Sequence, residues 1–197
     1  EEELFSFQEP FTNRKCYLVA QEEVGTLPKY IKTKYVDIKV GGSEIEFVYT
    51  LFKLGLLGNK LVRIGNALVS PREFMIKVWP DALSPQGTKK IVSTGNLRDA
   101  HFWAAVIVSG FSDKKKKNLR GDILFPSQSE VNKLLPGANY ISYAAGVSAA
   151  FFALEILKLK ERGVFSLEAL ERDEVEFLID RLKKIGVKIE MSEIEAK

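Results

Sequence analysis

The sequence predicts an α+β fold, α/β-like in its alternation, with helices packed on a mixed β-sheet. Three observations carry this. Tyr35-Val-Asp-Ile-Lys-Val40 alternates apolar and polar residues with period two, the mark of a half-buried strand. Ala100 to Phe111 is rich in aromatic and β-branched residues and meets Gly110, which reads as a longer strand. Asp173 to Ile185 places Val175, Leu178, Ile179 and Leu182 on one helical face. Strands and helices scattered among one another, with no internal repeat and no low-complexity linker, indicate one domain over residues 1–197.

Taken in order, Lys15-Cys-Tyr-Leu-Val-Ala20 reads as a short strand, and Leu27-Pro28 as the end of the segment containing it, because proline biases its predecessor to extended backbone. Gly41-Gly42 breaks the second strand. Ser43 with Glu46 three residues on has the spacing of a capping box, and Ile45, Val48, Leu51, Phe52 and Leu56 supply an apolar face that ends at Gly55 and Gly58. Ser70-Pro-Arg-Glu73 repeats that grammar with proline at the first helical position, and the helix runs to Pro80. Ser112 to Gly121 reads as a long basic hairpin loop, followed by a second strand, Ile123-Leu-Phe125. A short helix is predicted over Ser127 to Leu135. Tyr140-Ile-Ser-Tyr143 reads as a strand leading into a helix from about Gly146 to Lys160.

Composition narrows the function. The chain has 197 residues, 46% hydrophobic and 28% charged, with a net charge of +3, ordinary values for a globular protein. That charge is too small to imply nucleic acid or a membrane surface. One cysteine, Cys16, excludes an internal disulfide framework and fits a reducing, cytoplasmic setting. The start, Glu1-Glu-Glu-Leu-Phe, has no secretory pattern, and the uncharged run Ala138 to Leu154 is shorter than the ~20 residues of a membrane span. The only methionines are Met75 and Met191, which reads as a chain cut from a longer protein. Abundant lysine and glutamate with scarce glutamine lean thermophilic.

Several chemistries are discounted. With one histidine, His101, and one cysteine, a zinc site of the usual ligands is not expected. His101 falls in the strand run and reads as a hydrogen-bonded strand histidine, not a catalytic base. None of the 14 glycines lies two residues from another, so no dinucleotide fingerprint is present, and there is no phosphate-cradling Gly-Lys-Ser/Thr loop. Lys114 to Lys117 with Arg120 reads as a solvated hairpin tip, since aromatic residues are not interleaved with the charges. Asp173, Glu174 and Glu176 open a helix, where negative charge suits the dipole. Glu22-Glu23, beside Thr26-Leu-Pro28, has no such ready explanation. Gly146, Ala149, Ala150 and Ala153 form one smooth stripe that lets a backbone or flat ligand approach, and the N–H groups at that helix start are free to face an anion.

Several segments, in order, resemble the C-terminal substrate-binding and dimerisation domain of saccharopine-dehydrogenase-like oxidoreductases, lysine-dehydrogenase-like members included. Glu23-Val-Gly-Thr-Leu-Pro28 is similar to the family's acidic-x-x-Thr-Leu-Pro segment. Leu54-Gly-Leu-Leu57, then Val69-Ser-Pro-Arg-Glu73, is similar to its helix end and Ser-Pro-Arg helix start. Ala145-Gly-Val-Ser-Ala-Ala150 resembles its Thr-Gly-x-Pro-Ala-Ala helix start, and residues 139–190 as a whole resemble its closing block, through Gly163-Val-x-x-x-Glu168, Phe177-Leu178 and Lys184-Ile-Gly-Val187. The resemblance implies a nucleotide-binding Rossmann domain on the N-terminal side, outside this chain. It implies that the full-length protein uses NAD or NADP on amino-acid imines or secondary amines, as a homodimer in the cytoplasm with no nucleic-acid or membrane partner. No cofactor is expected on this chain alone. Thr26, Gly146 and Ala150 carry over as substrate-site positions, and no catalytic residue does. Tyr143, just upstream of the expected helix start, joins them because its hydroxyl can take the place of the one lost at Ala145, where the family has threonine; Ser148 replaces its proline. Arg14, Arg63, Arg72 and Arg98 are the arginines offered for a substrate carboxylate. The alternative is a catalytically inactive binding or oligomerisation module of the same fold.

Overall fold

The computed structural model describes residues 1–9, 11–79, 85–95, 97, 99–158 and 163–195. The fold is α+β. Its strands form three antiparallel sheets among the described residues, where the sequence predicts one mixed sheet. The chain also divides into two compact units where one domain was expected: Glu1–Pro80 with Ser166–Ala169, and Asp81–Phe165 with Leu170–Lys197.

The first unit begins with strands β1 (Glu2–Ser6) and β2 (Asn13–Leu18), followed by helix α1 (Glu23–Tyr30). Pro28 lies inside α1 and does not end it. The second strand predicted from sequence shrinks to β3 (Lys39–Gly41), which pairs with β2. A Cβ at Gly41 would sit 2.8 Å from both Cys16 Sγ and Lys15 O, so only glycine permits this approach. Helix α2 (Ser43–Lys53) is capped by Gly42 at φ 129°, in place of the predicted serine cap. Tyr17 of β2 stacks on Tyr49 of α2 at 4.4 Å, with Cys16 and Leu51 buried. A small hairpin, β4 (Val62–Ile64) and β5 (Ala67–Val69), precedes α3 (Pro71–Val78). The α3 start is as predicted: the Glu73 N–H donates to Ser70 Oγ at 3.4 Å, and Pro71 fills the first helical position. Pro80 lies outside the described residues.

The second unit opens with α4 (Pro85–Ser93), then the hairpin β6 (Trp103–Ser112) and β7 (Lys115–Leu124). The predicted long basic loop is a two-residue turn. Asp113 and Lys114 have φ 52° and 62°, the paired positive values of a type I′ turn, so Lys115, Lys116 and Lys117 belong to the strand. After α5 (Gln128–Leu134) come α6 (Tyr140–Ile156), α7 (Arg172–Lys184) and β8 (Lys188–Ile194), which adds to β7. The core is Phe125, Ala144 and Val187, with Ile123 and Ile189 of the sheet meeting Val147 of α6 and Leu182 of α7. Among the described residues no helix is long and apolar enough to cross a membrane.

Two joints give this unit its order. The short helix predicted over Ser127 to Leu135 starts at a reciprocal capping box between Ser127 and Glu130, a box not predicted from the sequence. Gln128, 1% exposed, then pins α5 to α6: its Nε2 donates to Asn132 Oδ1 at 2.9 Å and Ala138 O at 3.0 Å, and its Oε1 accepts from the Tyr140 N–H at 2.8 Å. A buried amide with both ends satisfied specifies geometry that apolar packing would leave loose.

Candidate functional site

The candidate residues fall in both units. In the first, Thr26 sits on α1 and turns toward a single 3₁₀ turn, Leu167–Ala169. Its hydroxyl donates to Glu168 Oε1 at 2.7 Å, across 142 positions of sequence. The hydroxyls of Ser166 and Thr26 hold the Glu168 carboxyl below the usual glutamate value, because both favour its charged form. Glu168 is therefore an oriented, ionised carboxylate at neutral pH. Glu22 and Glu23, left open by the sequence, are the cap and first residue of α1, where acidic groups meet the helix dipole.

In the second unit, Tyr143, Gly146 and Ala150 share α6, but the structure corrects how they are placed. The predicted strand over Tyr140–Tyr143 is the first turn of the helix, which starts six residues before Gly146. Asn139 explains the early start. Its Oδ1 accepts from the N–H groups of Ile141 at 3.1 Å and Ser142 at 2.7 Å, while Ser142 Oγ accepts from the Asn139 N–H at 3.0 Å. Gln128 holds the Tyr140 N–H. The helix-start N–H groups offered to an anion are thus already filled by the protein's own side chains. Tyr143, 5% exposed, points into the packed side of α6, where burial pushes its phenol pKa upward. Gly146 and Ala150 lie on the exposed side, and a Cβ at Gly146 would meet nothing within 4 Å. Among the described residues nothing approaches Gly146 closely, and Tyr143 does not converge with Gly146 and Ala150.

His101 and Cys16 are accounted for by their surroundings. His101 is hydrogen-bonded as expected, its Nδ1 lying 3.1 Å from Phe125 O, but it stands just before the observed strand β6 and not within a strand. Cys16 is buried, and desolvation raises its thiol pKa, which keeps it protonated and inert. Arg14, Arg63 and Arg72 are exposed, and Arg98 lies outside the described residues. No three of His, Cys, Asp and Glu converge among the described residues.

One cluster escaped the sequence. Arg120 grips Asp122 with two bonds, Nε to Oδ2 at 2.6 Å and Nη2 to Oδ1 at 2.8 Å, and Trp103 Nε1 donates to the same Oδ1 at 3.1 Å. Asp122 is buried, and its hydrogen bonds to Arg120 raise the guanidinium pKa further. The signal was the Arg-Gly-Asp spacing within a strand: residues two apart share a face, so the pair meets across Gly121. No protein-family model matches the chain, and no curated protein matches its sequence.

Proposed function

We propose that this chain is the substrate-side portion of an NAD(P)-dependent oxidoreductase acting on amino-acid imines or secondary amines, similar to saccharopine and lysine dehydrogenases. The observation that carries the reading is the bond between Thr26 and Glu168. Glu23–Pro28 and Gly163–Glu168 are two of the segments that carry the resemblance, and they lie far apart in sequence. The first unit joins Thr26 of one to Glu168 of the other in a hydrogen bond. A carboxylate oriented by a hydroxyl suits recognition of a cationic amine or iminium. In this reading the nucleotide is held by a Rossmann domain encoded upstream, the assembly is a cytoplasmic homodimer, and neither nucleic acid nor a membrane takes part.

The gene upstream of Glu1 tests it. A strand leading into a Gly-x-Gly-x-x-Gly helix start supports the reading, and an immediate start codon with no such half overturns it. Calorimetric titration gives a second measurement: the chain alone is expected to bind NAD(P) no tighter than millimolar, and micromolar binding would refute the division of labour. A module of the same fold without catalysis is the second reading. Ala145 and Ser148 favour it, since they stand where the family pattern has threonine and proline.

A further inference from the structure

We draw no further inference here: the strongest candidate, the exposed apolar patch of Val106, Val108, Leu119 and Met191 on one face of the sheet formed by β6, β7 and β8, is an unpartnered face, and nothing in the structure shows what covers it.

Discussion

Helices α6 and α7 pack against each other in the second unit, yet they are built on opposite plans. α7 carries its charge outward, with Asp173 and Glu174 in the first turn, Arg181, Lys183 and Lys184 in the last, and Leu178 buried. α6 has one charged residue in seventeen, Glu155, and that residue is buried. Its carboxylate accepts from Lys158 Nζ at 2.9 Å, and the same ammonium lies 3.7 Å from the centre of the Phe177 ring on α7. The charge on α6 thus serves as a tie to α7 instead of a mark of the solvent side. Its exposed residues include the small stripe Ala145, Gly146, Ala149, Ala150 and Ala153 together with the larger Leu154 and Ile156. Polarity identifies the buried face of α7; on α6, apolar all round, only packing does.

The sharpest break of this contrast is Leu178→Ala. Truncating the buried leucine of α7 should cost about 2–5 kcal/mol in urea unfolding, from lost burial and the cavity left behind. Next comes the cap of α6. Asn139→Ala removes the acceptor for two backbone N–H groups and should cost about 1 kcal/mol, read as a lower urea midpoint with an unchanged slope.

That neutral cap should be indifferent to acid, whereas the charged box at α5 should not. Ser127, through its hydroxyl and its N–H, holds the Glu130 carboxyl below the usual glutamate value. A lowered folded-state value means the box stabilises fully above the ordinary glutamate pKa of ~4.3 and is lost as pH falls through the folded value. Glu130→Gln should therefore flatten stability against pH on the acid side of ~4.3, and Asn139→Ala should leave that slope alone. The smallest effect belongs to the exposed side of α6. Ala149→Lys should change the stability of the chain by less than about 0.5 kcal/mol, since nothing there is packed. A loss of several kcal/mol would mean the stripe is covered.

Legibility in the sequence followed how local the cause was. The Ser70-Pro71 start was readable because the cap, its acceptor and the first turn lie within four residues. Asn139 was missed because Tyr140-Ile-Ser-Tyr143 looks like a strand by residue type, and the asparagine cap overrides that preference. The basic run from Lys114 looked like a loop because four like charges favour water. The I′ turn at Asp113-Lys114 keeps them in a strand whose side chains reach water anyway. Of the candidate site, Thr26 was legible from its motif, but its partner Glu168 was known only as a motif position until the fold joined them.

The sequence by itself determined the α+β class, the capped start of α3, the short α5, the amphipathic α7 and the absence of a glycine phosphate cradle in this chain. All of these are encoded in neighbours a few residues apart, where propensity and capping act. Only the tertiary structure decided that the sheets are antiparallel, that α6 starts at Tyr140 with Tyr143 inside and Gly146 outside, and that Thr26 meets Glu168. Those outcomes depend on pairing partners tens of residues away, and a periodicity along one strand or helix carries no record of which distant segment completes it.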